Sequence, residues 1–220
     1  MELKHIAGRE GRLSSFLLGE LQMSAGLMNK LPEQYEIVGM ADPAEARRIH
    51  FQKAYGVPAE YCYTGWEDIL SQPKMADVAV IATVDNMHYE PALMAIEKGY
   101  DLLLEKPISN KLEEVREIAA VAQRLGRRVI VAHVLRYTVF YRKIKKLLEE
   151  GAVGRVLNLE AAEHVSCFHM AHAYVRGQWR RKEDSSPIIL AKCSHDMDII
   201  YWLTGKKCKS VSAIGSLDYF

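Results

Sequence analysis

The feature that most constrains the fold is an alternation of short apolar runs with longer segments of helical periodicity between residues 35 and 132. The apolar runs have the length of strands and are bounded by Gly, Pro or Asp. The predicted strands are Tyr35–Ala41, Val78–Ala82, Leu102–Leu104 and Val129–Ala132. The predicted helices are Ala44–Tyr55, Pro91–Lys98 and Leu112–Leu125. Strands that alternate with helices predict βαβ units in an α/β domain with a Rossmann-type, doubly wound parallel sheet.

Polar residues follow directly after these apolar runs, namely Asp42, Thr83, Glu105-Lys106 and His133. Because crossovers between parallel strands are right-handed, the carboxyl ends of the strands lie along one edge of the sheet. Ligands of open α/β sheets bind at that edge. We therefore expect these residues to line one rim of a dinucleotide-binding domain that spans residues 1–132.

The pattern changes after His133 and predicts the start of an α+β domain for substrate binding and oligomerisation, residues 133–220. Its predicted helices are Phe140–Glu150 and Ile188–Leu203, and its predicted strands are Val156–His164 and Val211–Gly215. The sequence stops without a helix to cover such a sheet, which would leave an open edge. We therefore expect this domain to be incomplete and the chain to be a fragment of a longer protein.

The composition argues against several classes of partner. The 220 residues include 29 Lys and Arg against 28 Asp and Glu, so the charge balance does not indicate a nucleic-acid-binding protein. No apolar run approaches the roughly 20 residues that span a bilayer, so no membrane partner is expected. The four cysteines have no CxxC spacing and are typical of reduced thiols in a cytoplasmic protein.

A glycine-rich turn after the first strand is expected in a dinucleotide-binding sheet, because its backbone amides receive the pyrophosphate. The nearest match has Gly8 and Gly11 at the spacing of the last two glycines of GxGxxG, with Ile6 in place of the first. The residues before Ile6 are too polar for a buried strand. A flexible N-terminal segment with two unrelated glycines explains this string equally well.

Asp42 ends a predicted strand and precedes Pro43. A carboxylate in this place accepts hydrogen bonds from the ribose hydroxyls of NAD, but Asp before Pro is also a frequent turn former. Arg47 and Arg48 follow and would instead suit the 2′-phosphate of NADP. We expect NAD as the cofactor, with NADP as the alternative.

Glu105-Lys106-Pro107 is the sharpest local signal, because it follows a predicted strand at the ligand-binding edge. A lysine in a partly desolvated cleft has a lowered pKa and exchanges a proton with a substrate hydroxyl near neutral pH. Glu105 would hold the lysine side chain. Taken alone, a lysine before a proline is more often part of a surface turn.

A second cluster lies in the predicted helix Ile188–Leu203. Lys192 and His195 are three residues apart and would share one helical face, which suits a proton relay. The alternative is an ordinary helix whose charged side chains face water. Aromatic and basic residues are predicted to form the walls of a site for a hydroxylated substrate: Arg136, Tyr137, Trp179 and Arg180.

Three histidines, His164, His169 and His172, raise the question of a metal site. No cysteine or carboxylate joins them at a standard ligand spacing, and hydride chemistry with a nicotinamide needs no metal. No metal is therefore expected.

Four separated motifs taken together resemble the Gfo/Idh/MocA oxidoreductases. They are Ala82-Thr83 with His88, Glu105-Lys106-Pro107, the segment from His133 to Tyr137, and His195-Asp196-Met197-Asp198 followed by Trp202-Leu203. Their order and spacing extend the resemblance from about Tyr35 to the last residue. It implies a nicotinamide-binding Rossmann domain followed by a domain with an open, largely antiparallel sheet, through which full-length members commonly form homo-oligomers.

The resemblance also implies roles for individual residues. Lys106 matches the catalytic lysine of the family and His195 its catalytic histidine. The positions that match residues near the cofactor are Thr83, Asn86, His88 and Glu105, and those that match a loop near the substrate are Arg136 and Tyr137.

Three departures separate this chain from the family pattern. The first glycine of the fingerprint is missing, and the second domain is shorter than in the family. The aspartate that often precedes the histidine by one helical turn is replaced by Ala191, with Lys192 beside it. Lys192 is the candidate to take its place, as a cation rather than an anion.

The predicted function is hydride transfer between NAD(P) and a hydroxyl carbon of a sugar or polyol, with Lys106 and His195 exchanging the hydroxyl proton. One alternative is an NAD-dependent glycoside hydrolase that oxidises its substrate only transiently. Another is an inactive or regulatory dinucleotide-binding fragment.

Overall fold

The computed structural model describes residues 12–19, 22–181 and 183–216. The chain divides into two compact units, with the boundary in the sequence between Ala132 and His133. The first unit is built on one β-sheet, and the described part of the second consists of helices and irregular segments. No described helix is long and apolar enough to cross a membrane.

The described part of the first unit has a six-stranded parallel sheet with the strand order β3-β2-β1-β4-β5-β6. The strands are β1 Leu13–Gly19, β2 Tyr35–Ala41, β3 Cys62–Tyr63, β4 Val78–Ala82, β5 Asp101–Leu104 and β6 Val129–Val131. The order reverses between β1 and β4, which is the switch point where Rossmann folds bind their ligands. The predicted Rossmann-type, doubly wound parallel sheet is confirmed.

Helices connect the strands of the first unit: α1 Gln22–Met28, α2 Glu45–Tyr55, α3 Trp66–Ser71, α4 Tyr89–Glu97 and α5 Leu112–Leu125. Helix α5 shows how the sequence sets such bounds. Glu113 and Glu114 lie in its first turn and Arg124 in its last, so all three charges complement the helix dipole. Gly126 ends the helix with a φ of 64°, a left-handed conformation that glycine adopts without strain.

The sheet is buried on both faces, because successive side chains of a strand point to opposite sides. Phe16 and Ile81 belong to a core with residues of α3, α4 and α5. Leu17 and Val80 belong to a second core with residues of α1 and α2. Each fully buried side chain of this size contributes about 1.5–3 kcal/mol. The two-sided burial explains why β4 is apolar at every position.

The sequence patterns do not predict β1, although it is a central strand. Ser14 and Ser15 interrupt its apolar pattern. In the structure the hydroxyl of the partly buried Ser14 donates to Asp77 Oδ2 at 2.6 Å, and a polar group with such a partner is tolerated in the sheet. Gly8 and Gly11 lie outside the described residues and both precede β1. Among the described residues the first strand ends at Gly19, and the role of Gly8 and Gly11 in cofactor binding stays a prediction.

The second unit differs from its prediction. Its helices are α6 Val139–Glu149, α7 Cys167–His169, α8 Ile188–Ala191 and α9 Ser194–Thr204, with a π-helical turn at Met170–Val175 and 3₁₀ turns at Val134–Tyr137 and Gln178–Arg180. The predicted strands Val156–His164 and Val211–Gly215 are wrong, since neither forms a strand among the described residues. Leu157 and Val211 are 81% and 85% exposed. Alternation gives a segment strand propensity, but a sheet needs a hydrogen-bonded partner strand.

The predicted helix Ile188–Leu203 is also interrupted. Lys192 follows the last residue of α8, and Cys193, with φ −78° and ψ 1°, precedes α9. This ψ lies outside the range of an α-helix. Lys192 and His195 therefore do not share a face of one continuous helix, contrary to the prediction.

Gly19 provides a test of how closely β1 and β4 approach. Its φ is 87°, and a Cβ there would lie 2.3 Å from the Ala82 carbonyl oxygen. Gly19→Ala should lower the free energy of unfolding by more than the roughly 1–2 kcal/mol of a left-handed backbone conformation. Urea unfolding curves measure this loss.

The matched control is Gly126→Ala, at a φ of 64° with no atom within 4 Å of the added Cβ. This variant should lose only the backbone contribution. Equal losses in the two variants would contradict a close approach of β1 to β4.

Candidate active site

The carboxyl ends of four strands of the first unit lie along one edge of the sheet. Gly19 is opposite Ala82, and the residue before Gly19 is opposite the last residue of β2. Beyond β5, the Glu105 N–H donates to the Ile81 carbonyl at 2.8 Å. Asp42, Thr83 and Glu105-Lys106 therefore follow strand ends at the same edge. His133 is the first residue of the second unit.

Gly19 is a residue of this edge that the sequence patterns did not reveal. It ends β1 with a positive φ, and the Ala82 carbonyl leaves no room for a side chain. In a Rossmann fold, the turn after the first strand is where the backbone approaches the pyrophosphate. The signal in the sequence was the apolar run Phe16-Leu17-Leu18 directly before this glycine.

Asp42 makes the turn that follows β2. Its side chain is 1% exposed, its Oδ1 accepts from the Ala44 N–H at 2.7 Å, and its Oδ2 accepts from Arg47 Nε at 2.7 Å. Arg48 donates to the Asp42 carbonyl at 2.7 Å. The carboxylate makes the turn contact of the second interpretation, and it pairs with the Arg47 guanidinium, whose side chain is 40% exposed. Its predicted contact with the ribose stays a prediction.

His88 and Thr83 close the loop after β4. His88 is 1% exposed. Its Nε2 lies 2.9 Å from the Thr83 carbonyl oxygen and its Nδ1 lies 2.8 Å from the Pro107 carbonyl oxygen. The Thr83 hydroxyl donates to the Met87 carbonyl at 3.0 Å. The side chains of both residues therefore bind backbone groups of the protein, whereas Asn86 between them is exposed.

Lys106 is partly buried at the end of β5. The backbone N–H of Lys106 donates to the Glu105 carboxylate at 3.3 Å, a long contact within the same segment. The peptide bond between Lys106 and Pro107 is cis. Glu105 thus contacts the backbone of Lys106, while the predicted contact with its amine remains a prediction.

In the second unit, Asp198 joins two residues of the segment that begins at His133. Its side chain is only 8% exposed. It accepts from Arg136 Nε at 2.7 Å and from a second guanidinium nitrogen, and its Oδ1 lies 3.2 Å from His133 Nδ1. The hydrogen bonds to Asp198 raise the pKa of Arg136 above its usual value. Arg136 was predicted to bind a substrate, but its guanidinium N–H groups donate to a carboxylate of the same unit.

His195 is partly buried near the start of α9, and its ring centroid lies 6.1 Å from that of His133. The two rings meet edge to face. Because His133 also contacts Asp198, two histidines and a carboxylate lie in one cluster. The sequence patterns assigned neither His133 nor Asp198 to such a cluster, since the two residues are 65 positions apart.

Lys192 is close to an acidic group. Its Nζ lies 3.5 Å from Glu163 Oε1, with the two side chains 26% and 32% exposed. Burial raises the pKa of the neighbouring Asp196 carboxyl above its usual value, and the negative charge of Glu163 adds to that shift. Asp196 Oδ2 is buried without a hydrogen-bond partner among the described residues.

The other residues predicted for the substrate wall differ in exposure. Tyr137 is 69% exposed, and Arg180 is also exposed. Trp179 is partly buried, with its ring centroid 6.4 Å from that of Tyr174. Trp179 and Arg180 lie in the same 3₁₀ turn. Their contact with a substrate stays a prediction.

Among the described residues, no group of three or more His, Cys, Asp or Glu side chains is placed to hold a metal ion. The three histidines of the sequence analysis all have exposed side chains. His169 stacks on Tyr174, and His172 packs against Phe168.

Two family models match the chain. The model described as an oxidoreductase family with an NAD-binding Rossmann fold matches residues 15–133. The model of the GFO/IDH/MocA C-terminal domain matches residues 141–219. The first match alone covers more than half of the chain.

Curated relatives match most of this chain. YteT of Bacillus subtilis is 26% identical over an alignment of 200 residues, and the match covers 88% of this chain and 46% of YteT. A 2,7-anhydro-N-acetylneuraminate hydratase of Mediterraneibacter gnavus is 24% identical over 190 residues, 86% of this chain and 48% of the hydratase. The chain thus spans about half the length of these relatives.

A solved structure has the same fold. Scyllo-inositol dehydrogenase from Lactobacillus casei, with bound NAD(H) and scyllo-inositol, matches with a TM-score of 0.75 and 20% identity. The match covers 89% of this chain and 57% of the dehydrogenase.

The raised pKa of Asp196 predicts how stability depends on pH. A carboxyl with a raised pKa in the folded state stabilises folding when protonated, and that contribution is lost as the pH rises through the raised pKa. Asp196→Asn keeps a neutral side chain at every pH. At pH 7 it should therefore raise the Tm, and the gain should vanish towards pH 4.

Thermal unfolding of wild type and variant between pH 4 and pH 8 measures this difference. The control is Asp184→Asn, at a side chain that is 56% exposed and 3.6 Å from Arg181, where little change is expected. A gain for Asp196→Asn that is the same at every pH would contradict the prediction.

Proposed function

The chain belongs to the Gfo/Idh/MocA family of oxidoreductases, and on that premise we propose that it takes part in hydride transfer between a nicotinamide cofactor and a hydroxyl carbon of a sugar or polyol. The observation that carries the proposal is the position of Lys106. It follows β5 at the carboxyl edge of a parallel sheet, beside the switch point between β1 and β4. Its amine is the proposed group that exchanges a proton with the substrate.

The residues at this edge fit a dinucleotide. Gly19 ends β1 with a positive φ and no room for a Cβ, at the place where the backbone of a Rossmann fold approaches the pyrophosphate. Asp42 and Arg47 lie at the end of β2, where the ribose of the adenosine is bound in Rossmann folds. When bound, the nicotinamide accepts or supplies the hydride.

Oxidation of the substrate removes one hydride from the carbon and one proton from its hydroxyl group. In the oxidative direction a bound nicotinamide would take a hydride from the substrate carbon, while the neutral amine of Lys106 takes the proton of its hydroxyl. The product is a carbonyl compound, and the protonated lysine then releases its proton to solvent. His195 is proposed as a second proton-exchanging residue, while Glu105 and the loop after β4 hold the segment that carries Lys106.

A second candidate is a reaction with no net redox change, in which the substrate is oxidised only transiently. The observation in its favour is the similarity to a protein named as a hydratase. The two candidates differ in what accumulates. A dehydrogenase forms reduced cofactor and a carbonyl product in equal amounts, whereas a transient oxidation forms product, such as a released aglycone, without reduced cofactor.

A dinucleotide-binding fragment without turnover is the remaining alternative. Calorimetric titration with NAD, NADH and NADPH tests for it. Tight binding without turnover of any sugar or polyol would favour a regulatory module, and the lack of both would favour an inactive fragment.

Lys106→Ala tests the central role. Losing a general acid–base group should lower turnover by at least about 100-fold, measured as the rate of nicotinamide reduction with a panel of sugars and polyols. Lys111→Ala is the matched control, because Lys111 is 67% exposed and paired with Glu114. Its turnover should match that of the wild type. Near-normal turnover of Lys106→Ala would end the proposal.

Arg47→Ala tests the choice of cofactor. If the Arg47 guanidinium, which lies over the buried Asp42 carboxylate, receives the 2′-phosphate of NADP, its loss should weaken NADP binding by about tenfold or more. NAD has no such phosphate, so its Kd should change much less. Calorimetric titration measures both constants. Equal weakening of NAD and NADP binding would contradict this role.

A further inference from the structure

We propose that His88 is a positioning residue for Lys106, which it holds in place through the backbone on the far side of the Lys106-Pro107 bond. The inference rests on the proposed role of Lys106. It also changes the role that the sequence gave to His88, which was contact with the cofactor.

The geometry around the ring is specific. His88 precedes α4 and is 1% exposed. Its two nitrogens lie 2.9 Å from the carbonyl oxygen of Thr83 and 2.8 Å from that of Pro107. A carbonyl oxygen only accepts, so a neutral ring donates to one of these oxygens and a protonated ring donates to both. The ring thus lies between the end of β4 and the segment after β5.

Backbone contacts fix the chain on both sides of Lys106. On the near side, the Glu105 N–H donates to the Ile81 carbonyl and continues the sheet. On the far side, Pro107 is buried, and its carbonyl oxygen faces His88. Lys106 is the single residue between these two points. Loss of the contact on the far side would release the Pro107 end of this segment and so alter the direction in which the Lys106 side chain leaves the sheet.

The burial of His88 argues against direct contact with cofactor or substrate. Both ring nitrogens face backbone carbonyls, and almost none of the residue's surface is accessible. The loop between Thr83 and His88 is itself closed by the hydrogen bond from the Thr83 hydroxyl to Met87. His88 therefore acts on the reaction through the placement of Lys106.

Three substitutions separate the two contacts of the ring. In His88→Asn the carboxamide nitrogen lies near the place of Nδ1 and can still donate to Pro107. In His88→Gln it lies near the place of Nε2 and can still donate to Thr83. His88→Phe keeps a ring of similar shape and donates to neither.

We expect kcat to fall in the variants that cannot donate a hydrogen bond to the Pro107 carbonyl. A misplacement of about 1 Å costs on the order of 100-fold in rate, so His88→Phe and His88→Gln should lower kcat by about 10- to 100-fold. His88→Asn should stay within about threefold of the wild type. The KM for NAD should change by less than about threefold in all three variants, because the cofactor keeps its own contacts.

A second measurement does not depend on turnover. Reductive methylation with ¹³C-formaldehyde labels the lysine amines, and the Lys106 signal is assigned by its loss in Lys106→Arg. The NMR chemical shift of the Lys106 methyl groups should change in His88→Phe and His88→Gln and remain that of the wild type in His88→Asn. The signal of Lys30, which precedes β2 at the opposite edge of the sheet, is the control and should stay in all three.

The outcomes separate the two proposals. If the wild type turns over no sugar or polyol, the proposed function fails, but the lysine signals still report on the His88 contact. A Lys106 signal that is unchanged in His88→Gln overturns the positioning role. It is also overturned if kcat falls equally in all three variants and in step with their Tm, or if only the KM for NAD rises. If His88→Phe does not fold, the comparison of His88→Asn with His88→Gln decides.

Discussion

The site of the first unit depends on the hydrogen-bond register of β1 between β2 and β4. Gly19 lies opposite Ala82, and this alignment brings the ends of four parallel strands to one edge. A slip by one residue would turn every side chain of β1 to the other face of the sheet, so that its residues would leave the core in which they now pack. The fit depends on Gly19, since any side chain there would meet the Ala82 carbonyl. The close approach of β1 to β4 therefore requires a glycine at the end of β1.

Buried polar side chains hold the loops at the strand ends and the segment after the first unit. Asp42 after β2, His88 after β4 and Asp198 in α9 are each largely shielded from water, and each contacts two groups of the protein. A buried polar group is stable only when it is hydrogen-bonded, so these residues restrict their loops to few conformations. In the first unit, His88 contacts the carbonyl of Pro107, which follows Lys106 in the chain. In the second unit, Asp198 contacts His133, whose ring lies beside that of His195. The roles of Lys106 and His195 in proton transfer are proposals.

Local patterns were sufficient for most of the first unit. Strands β2, β4 and β5 and helix α5 were predicted nearly to the residue, because apolar runs and helical periodicity reflect burial that the whole fold preserves. The failures have long-range causes. Strand β1 was missed because the partner of Ser14 is Asp77, far along the chain. The strands expected in the second unit did not form among the described residues, because a strand pattern does not provide a partner strand.

The sequence by itself determined the alternation of strands and helices, and with it the edge at which Asp42, Thr83 and Lys106 come together. The shared edge results from the size and polarity of neighbouring residues and from the direction of the chain, all of which can be read from short segments of the sequence. Only the tertiary structure decided which groups each side chain meets. It placed the Asp42 carboxylate against Arg47 and buried the His88 ring between the carbonyl oxygens of Thr83 and Pro107. Such contacts join residues distant in sequence, and their stability comes from burial that exists only once the chain has folded.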